Sequence, residues 1–551
     1  MKYFHWFWFG IHVVTQLFSQ SLDPIPFDWS GQNGMSTYGG LLLWNRDWNS
    51  NKLFFDGTFQ SYPLRFGEEI SQDATLSHTD ALRNISFPDS SETHTSFDYR
   101  QGDYLFDQLN LHADFSQPNR IMKWNGFKRS YGGPGSQFIQ PENQSSQTLN
   151  PIQQSYLFYY LSKMNNRISV LSIGRFITDS GLFNNSEFNG LHQDEITTVS
   201  LFSKSYWNQF NIRLRISQYL ENRKWESIFS TASRHYLSRG QILGILSPDD
   251  TENSSWEFGI VGNTQALAFP DTIISKNRSW ISVWGNLNKR KFQIYGGIDA
   301  GNGSVLPHFS ITINRNSGSM KWENEVGMKN IPQHLMIWES SQSYFESWIN
   351  INSKAKWNNE NLTVFGILNY WHVNNLIKDE IESTISPKEL FSVETGYGWE
   401  GIHRLIISGS WRHSSKTPLL SDGIGDYFKI QIEYTKFLFS DNMELKADLI
   451  LEGLINRDPT FGFNPALGRP FEHDWDPYIL PDYWTSHLDI TANVSSVIIT
   501  YRIRNLFHTQ ENMIKQIYPD LQEEWIYPRN NAYFLPMGQL VSFGVEWEFE
   551  D

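Results

Sequence analysis

The sequence predicts an all-β fold, a large transmembrane antiparallel up-and-down β-barrel. Three observations predict it. The last strand alternates apolar and polar residues, hairpins of alternating strands recur along the chain, and aromatic residues make up 15% of the 551 residues, with 22 Trp. A barrel in lipid needs these features, because its outer face meets hydrocarbon, its inner face meets water and its aromatic side chains lie at the headgroups.

The N-terminus has the pattern of a secretory signal peptide. One formal charge, Lys2, precedes an aromatic and aliphatic run over residues 6–18, and the small residues Ser19 and Ser21 follow it. This order predicts a signal peptide over residues 1–20. A membrane-anchoring helix is the alternative, but about 20 apolar residues are needed to cross hydrocarbon and this run is shorter.

Composition excludes several classes of function. Cysteine is absent, so there is no disulfide framework, thiolate nucleophile or Cys-based metal site. The net charge of -15 argues against a nucleic-acid partner. No later apolar run could form a transmembrane helix, and a closed barrel is the other structure that satisfies every backbone group in lipid. We expect no metal and no cofactor.

The predicted barrel covers residues 21–551, and residues 21–96 are its least regular part. Residues 37–44 and 53–60 are predicted to form a strand pair, and residues 68–92 a loop or a short inserted element. No separate globular plug domain is evident in this stretch.

Beyond this stretch, two alternating strands joined by a short polar turn recur as hairpins. The predicted hairpins cover residues 154–176, 198–220, 280–298, 348–371, 426–454 and 486–505. Longer connections are predicted at residues 238–255, 264–278, 373–389, 457–483 and 508–537. Short turns at one end and long loops at the other are typical of outer-membrane barrels.

Strand length separates this fold from a soluble β-sandwich or propeller. Strands of soluble proteins average ~5–6 residues, whereas the segments 426–439 and 443–454 are about twice as long. Membrane-spanning strands need ~9–11 residues. The candidates predict roughly 18–24 strands, with an even total.

The closing segment, residues 538–549, shows the alternation most clearly. One face carries Val541, Phe543, Val545, Trp547 and Phe549, and the other carries Ser542, Gly544, Glu546 and Glu548. The spacing Ser-x-Gly-x-x-Trp-x-Phe, made by Ser542, Gly544, Trp547 and Phe549, also resembles the C-terminal assembly signal of bacterial outer-membrane β-barrels. That resemblance implies insertion by the barrel-assembly machinery.

The last sixty residues resemble the barrel of TonB-dependent receptors. The run Tyr-Arg-Ile-Arg-Asn-Leu-Phe at 501–507 is similar to their penultimate strand, and a long loop with two Tyr-Pro pairs follows before the closing strand. Gln539 stands where those proteins commonly have Arg, and Glu550 and Asp551 extend past the terminal aromatic. The plug domain and energy-coupling box of that family are not found. The chain therefore looks like a plugless, porin-like relative, which implies a Gram-negative outer-membrane location after Sec-type export.

Alternation also predicts which charged residues face the lumen. Arg or Lys at the lipid midplane costs ~2–4 kcal/mol, so charges on alternating strands are expected to point inward. The candidates are Arg213, Arg215, Glu433, Asp448, Glu452, Asp489, Arg502 and Arg504. They predict either a pore with opposed basic and acidic patches that set selectivity, or charge pairing across a solvated lumen.

The loop 457–483 and the start of the next strand combine aromatic and acidic residues. Aromatic faces beside carboxylates can hold a sugar ring or a cation. The ligand-loop candidates are Asp474, Trp475, Asp476, Tyr478, Tyr483 and Trp484. The alternative is an aromatic girdle at the membrane interface beside a solvated acidic loop.

Three functions remain open. The main hypothesis is a porin-like channel for diffusion or uptake of small polar solutes across the outer membrane. The alternative is a TonB-linked or partner-gated nutrient receptor that binds a sugar or another ligand through its outer loops. An outer-membrane hydrolase is the third, but Ser486 and His487 are strand neighbours and point to opposite faces, so we expect no enzyme. The expected partners are outer-membrane lipid, the small polar solute, and a surface lipoprotein or periplasmic subunit.

Overall fold

A computed structural model describes most of the chain beyond residue 86. The described ranges are 23–24, 36–38, 41–43, 87–130, 138–139, 152–183, 190–207, 209–227, 230–248, 254–270, 274–289, 291–332, 345–374, 388–401, 404–418, 420–421, 423–458, 461–464, 469–472, 482–506 and 539–550. Every regular element in these ranges is a strand. None of them contains a helix long and apolar enough to cross a membrane.

Twenty-eight strands are numbered in chain order. They are β1 (Asp23–Pro24), β2 (Ser36–Tyr38), β3 (Leu41–Leu43), β4 (Glu92–Gly102), β5 (Phe106–Gln117), β6 (Arg120–Ser130), β7 (Phe138–Ile139), β8 (Ile152–Met164), β9 (Arg167–Phe183), β10 (Gly190–Trp207), β11 (Phe210–Ser227), β12 (Ser230–Pro248), β13 (Ser254–Phe269), β14 (Ile274–Lys289), β15 (Phe292–Gly301), β16 (Ser304–Ser317), β17 (Met320–Pro332), β18 (Phe345–Asn358), β19 (Leu362–Asn374), β20 (Lys388–Glu400), β21 (Leu405–Ser414), β22 (Ile424–Leu438), β23 (Met443–Arg457), β24 (Phe461–Asn464), β25 (Arg469–Glu472), β26 (Tyr483–Val494), β27 (Val497–Arg504) and β28 (Leu540–Glu550).

Within the described ranges, 22 of these strands close an antiparallel barrel. Consecutive barrel strands are hydrogen-bonded neighbours, and the last strand, β28, pairs with the first, β4, from Ser542 opposite Gly102 to Glu550 opposite His94. The short strands β1–β3 form a separate sheet, β24 and β25 pair with each other, and β7 pairs with the end of β9. The predicted fold class and the predicted strand range are confirmed.

The two ends of the barrel differ. At the short-turn end, strands are joined by connections such as residues 118–119, 165–166, 439–442 and 495–496. Asn165 and Ser495 adopt positive φ in these turns, a conformation that Asn tolerates better than most residues. At the opposite, long-loop end lie the connections 131–151, 333–344, 375–387, 458–482 and 505–539. This is the asymmetry of outer-membrane barrels.

Three local predictions were wrong. Residues 238–255 were expected to be a long connection, but β12 continues to Pro248, and residues 264–278 lie largely in β13 and β14. The inner faces of β12 and β13 mix buried polar residues such as Arg239 and Gln241 with buried apolar residues such as Leu243 and Val261, so the strict alternation of apolar and polar residues is lost. Residues 37–44 were expected to form one strand of a pair with residues 53–60, but they divide between two short strands, β2 and β3, which pair with each other. Residues 53–60 lie outside the described residues, as does most of the stretch 68–92.

The strands have an apolar outer face and a largely polar inner face. On β11, Leu214 and Ile216 are 55% and 61% exposed, while Arg213 and Arg215 between them are 4% and 8% exposed. Exposed aromatics lie on the outer face near the short-turn end. They are Trp207, Phe210, Trp256, Trp322, Trp357, Trp399, Trp547 and Phe549. An aromatic girdle of this kind marks one membrane interface of a transmembrane barrel.

The inner face also contains buried apolar clusters. Ile121, Tyr159, Leu161, Val170 and Phe202 pack together on β6, β8, β9 and β10. A second cluster joins Leu243, Ile245, Val261 and Trp284 on β12, β13 and β14. Side chains on the wall of a wide water-filled pore are accessible to water, and these are not. The interior wall is therefore covered at these places.

Candidate functional site

The eight predicted lumen residues lie on two separate arcs of the inner wall. Arg213 and Arg215 belong to β11. The other six belong to β22, β23, β26 and β27, which lie almost half the ring away from β11 in either direction. We refer to the second group as the charge belt and to the arginine-rich surface around β11 as the basic arc.

The charge belt begins with two carboxylates that face each other across β22 and β23. Glu433 and Asp448 are register partners, and such a like-charged pair is unfavourable unless a cation lies between them. Lys446 supplies that cation, with its Nζ 2.9 Å from Glu433 Oε2 and 3.5 Å from Asp448 Oδ2. The two predicted acids therefore share one ammonium group.

The belt continues to Asp489 on β26, which is the register partner of Asp448. Arg504 holds this carboxylate with two guanidinium nitrogens, and its Nη2 donates to Asp489 Oδ2 at 3.0 Å. Arg502 Nε lies 3.5 Å from the same oxygen. A bidentate guanidinium pair fixes geometry as well as charge, so these three predicted residues form one rigid unit.

Glu452 is the centre of a third group in the belt. Tyr427 donates its hydroxyl to Glu452 Oε1 at 3.0 Å, and Lys429 Nζ lies 3.9 Å from that oxygen. His487 Nε2 lies 3.7 Å from Oε2. The backbone N–H of Asn505 donates to His487 Nδ1 at 3.2 Å, so the proton of the neutral ring lies on Nε2 and faces the carboxylate.

The charges of the belt balance locally. The four carboxylates Glu433, Asp448, Glu452 and Asp489 meet four cations, namely Lys429, Lys446, Arg502 and Arg504. Each acid is paired with a base on its own or a neighbouring strand rather than across the lumen. A role of these residues in selectivity stays a prediction.

The basic arc has more arginines than the sequence analysis selected. Five buried arginines lie on the inner faces of β11, β12 and β14, namely Arg213, Arg215, Arg223, Arg239 and Arg278. Arg213 Nη2 lies 2.8 Å from Glu257 Oε1, and Arg223 Nη2 lies 3.0 Å from Glu221 Oε1. Arg239 and Arg278 were missed because their segments were expected to be long connections.

Amide side chains extend the basic arc across three strands. Arg215 Nη2 donates to Gln241 Oε1 at 2.8 Å, and Gln241 Nε2 donates to Asn263 Oδ1 at 2.9 Å. Arg278 donates from Nε and Nη2 to Gln265 Oε1 at 2.9 and 2.6 Å. The network holds the planar guanidinium groups in fixed orientations, which favours recognition of flat anionic groups.

The predicted ligand loop is mostly beyond the described part of the chain. Asp474, Trp475, Asp476 and Tyr478 lie outside the described residues. Tyr483 begins β26 opposite Leu454.

Trp484, the last ligand-loop candidate, is exposed on the outer face, where its ring stacks on that of Phe428 with centroids 5.8 Å apart. The Phe428 ring also approaches that of Trp411, with centroids 6.4 Å apart. The position of Trp484 is that of an interfacial girdle residue, the alternative considered for this segment.

The four residues of the C-terminal signal divide between the two faces of β28. Ser542 and Gly544 are buried on the inner face, and a Cβ on Gly544 would come within 2.8 Å of Arg100 Cγ. Trp547 and Phe549 are exposed on the outer face and stack at 4.8 Å. The predicted alternation of the closing strand is therefore present, and its role in assembly stays a prediction.

Hydrolytic and metal chemistry find little support among the described residues. His487 faces the charge belt and Ser486 has the opposite strand parity, so the two cannot form a nucleophile and base pair. In the same part of the chain no group of three or more His, Asp and Glu side chains is arranged to hold a metal ion.

Comparison with known proteins gives a fold but no sequence family. No protein-family model and no curated protein matches the chain. The iron transporter FrpB of Neisseria meningitidis has a TM-score of 0.59 at 10% identity, over 84% of this chain and 83% of that one. A variant of the ferric enterobactin receptor PfeA of Pseudomonas aeruginosa, in complex with enterobactin, has a TM-score of 0.64 at 9% identity, over 84% and 82%.

The siderophore receptor PirA of Acinetobacter baumannii is similar to the same degree. Its TM-score is 0.62 at 7% identity, over 84% of this chain and 81% of that one. Identities this low show a common fold and leave ligand and mechanism open. The barrel of this chain therefore shares its architecture with bacterial iron and siderophore receptors.

Proposed function

We propose that this protein is an outer-membrane receptor barrel that takes up a small ligand with the help of a TonB-type periplasmic partner. This is the receptor alternative of the sequence analysis, and we prefer it to an open porin. Signal-directed export, insertion by the barrel-assembly machinery and outer-membrane lipid around the barrel belong to the same proposal. A surface lipoprotein is a further candidate partner.

The observation that carries the proposal is the covered inner wall. Leu161, Ile196 and Val373 are fully buried although strand alternation directs them inward. Apolar side chains facing a permanently open aqueous channel would lose the free energy gained by burial, about 25 cal/mol per Å². An inner wall that carries apolar side chains shielded from water fits a receptor that opens only when energised. The similar structures, which are iron transporters and receptors, support the same choice.

The basic arc suggests the chemistry of the ligand. Five buried arginines lie on this part of the wall. Guanidinium groups bind carboxylates and other planar anions through paired hydrogen bonds. We infer that the ligand is a small anionic molecule, and ferric chelates are the first candidates because the similar structures are described as proteins for iron and siderophores.

The proposal is tested by uptake and conductance together. Cells that express the chain should accumulate an anionic ferric chelate only when the cytoplasmic membrane is energised and TonB is present. The purified protein in planar bilayers should give almost no stepwise conductance. Large steady conductance with uptake that is independent of energy would favour the porin instead.

A matched pair of variants tests the ligand class. Arg215→Gln removes a buried guanidinium from the basic arc, whereas Arg175→Gln removes an exposed one that pairs with Glu195 on the outer face at 2.7 Å. Affinity for the anionic chelate should fall about tenfold in the first variant, a loss of ~1.4 kcal/mol. It should stay unchanged in the second.

A further inference from the structure

The hydrogen-bonded ladder between β16 and β17 ends before either strand does. Its last rung pairs Phe309 with Met328. Beyond this pair, residues 304–308 remain paired to β15 and residues 329–332 remain paired to β18. The two segments are not paired with each other. In the described barrel this is the longest stretch over which two neighbouring strands both continue without pairing together. We refer to it as the fork.

A proline explains where the ladder stops. The register that pairs Phe309 with Met328 would place Pro307 opposite Asn330 two residues further along. Proline has no N–H, so it cannot donate to the neighbouring strand. The carbonyl of Pro307 accepts instead from the side-chain Nδ2 of Asn330 at 2.9 Å. A flexible side chain therefore replaces a backbone rung in the wall.

Asn330 joins the outer strand edge to a buried polar group inside. Its Nδ2 also lies 3.1 Å from Asp299 Oδ2, and Ser347 donates to its Oδ1 at 3.1 Å. Asp299 further accepts from the hydroxyl of Ser282 and lies 2.8 Å from His308 Nδ1. Asn330 thus hydrogen-bonds both to β16 and to Asp299.

His308 offers an unused acceptor beside the fork. Because a carboxylate only accepts, the Nδ1 that faces Asp299 carries the proton of the neutral ring, and Nε2 has a free lone pair. This Nε2 is buried and has no hydrogen-bond partner. A buried polar atom without a partner is costly unless a ligand or water satisfies it.

Both sides of the fork are apolar. On the outside, Ile298 and Val305 are 47% and 63% exposed, in the band that faces lipid. On the inside, Leu306 packs against the buried cluster of Leu267, Trp280 and Phe345. Backbone groups without partners are costly in hydrocarbon, and a closed barrel normally avoids them. The fork thus lies between two apolar surfaces, and the side-chain amide of Asn330 bonds across it to the carbonyl of Pro307.

We propose that the fork is a lateral portal through which an alkyl chain passes between the barrel interior and the outer leaflet, with Asn330 as its latch. The alkyl chain would contact the cluster around Trp280, and a hydroxyl or amide of the same molecule would donate to His308 Nε2. The inference rests on the receptor function proposed above and adds that the ligand is amphipathic.

A reversible cross-link tests the portal. The chain has no cysteine, so Pro307→Cys with Asn330→Cys creates a single pair that a disulfide can close. If the ladder closed here, the Cα atoms of residues 307 and 330 would lie ~5.5 Å apart, within the ~4.4–6.8 Å that a disulfide spans. The matched control is Phe309→Cys with Met328→Cys, which links the same strands two residues lower, where the ladder is already closed.

The probe is hexadecan-1-ol with a nitroxide on its alkyl chain, whose hydroxyl can donate to His308 Nε2. The signal is the quenching of Trp280 fluorescence, obtained as the difference between the unmodified chain and Trp280→Phe. We expect quenching in the unmodified chain, and a loss of at least about tenfold in apparent affinity when the 307–330 pair is oxidised. Reduction of the disulfide should restore the affinity. The control pair should behave as the unmodified chain does, whether it is oxidised or reduced. Asn330→Ala, which removes the latch without a cross-link, should strengthen quenching.

Two results would overturn the portal. One is quenching that does not depend on Trp280, and the other is quenching that the oxidised 307–330 pair leaves intact. Energy-dependent uptake of the ferric chelate is measured on the same variants. Loss of uptake in every variant and in the unmodified chain contradicts the receptor function. Normal uptake without Trp280 quenching contradicts the portal alone.

Discussion

The guanidinium of Arg504 lies against the carboxylate of Asp489 with both of its terminal nitrogens, and Nη2 is 3.0 Å from Oδ2. The two residues belong to neighbouring strands, β27 and β26, and Arg504 is the register partner of His487, two residues from Asp489 toward the long-loop end. This pair ties the charge belt to the strand that precedes the closing strand β28. It makes the belt a structural element of the wall, whatever its role in transport.

We expect Arg504→Ala to destabilise the barrel by about 1.5–3 kcal/mol, because it removes hydrogen bonds to a charged group that is largely shielded from water. Arg504→Lys should recover part of this loss, since an ammonium keeps the charge but not the paired geometry. Urea-induced unfolding in detergent micelles measures both. A double-mutant cycle with Asp489→Asn should give a coupling of ~0.5–3 kcal/mol, and additive losses would show that the pair is not coupled.

Gly297 provides a test of the wall beside the fork. A Cβ at this position would meet the backbone oxygen of Val283 and lie 2.6 Å from His308 Nε2. Gly297→Ala should therefore cost about 1–3 kcal/mol through overpacking. Gly262→Ala is the control, since a Cβ there meets nothing within 4 Å, and it should change stability by less than ~0.5 kcal/mol. Equal effects in thermal unfolding would contradict the packing described.

A charged side chain on the outer face should destabilise the barrel. Ile242 is 63% exposed on the lipid side of β12, and Ile242→Arg should lower stability in lipid vesicles by about 2–4 kcal/mol if it lies near the midplane. Tyr236→Arg, on the same face toward the long-loop end of the strand, should cost less because it is nearer the interface. Similar costs at both positions would mean that depth in a bilayer does not matter to this face.

The terminal aromatics should matter for assembly more than for stability. Phe549→Ala should reduce the folded fraction recovered from outer membranes, measured by the heat-dependent shift of mobility in gels, because it removes part of the assembly signal. Trp399→Ala removes another exposed aromatic of the same girdle and should have little effect. If the two variants lost folded protein equally, Phe549 would act as an ordinary girdle residue.

Much of the architecture is readable in the sequence because lipid imposes a period of two. The alternation in β28 predicts that Trp547 and Phe549 lie on the same, outer face. The alternation in β11 predicts that Arg213 and Arg215 point inward. Prediction failed on β12 and β13. Their inner faces carry apolar residues such as Leu243 and Val261 beside Arg239, so the alternation of apolar and polar residues is interrupted.

The finer features of the site depend on contacts that no linear pattern encodes. Arg239 and Arg278 join the basic arc because their strands are longer than expected. His487 was considered only beside Ser486, whereas its partner Glu452 comes from the neighbouring strand. Pro307 in a strand is a sequence signal for a break in pairing, but the replacement of the rung by Asn330 requires the register. The choice between porin and receptor depends on a covered interior, which composition does not reveal.

The central claim is a lipid-facing outer wall and a separate inner wall on alternate residues, and quenching by lipid nitroxides tests it most directly. Because the chain lacks cysteine, a fluorophore can be attached singly at Leu214→Cys or Ile216→Cys on the outer face, and at Ser200→Cys or Ser217→Cys on the inner face. In vesicles with nitroxide-labelled acyl chains, we predict strong quenching at the first two positions and almost none at the other two. Quenching that is equal at all four positions, or absent from all of them, would contradict the account.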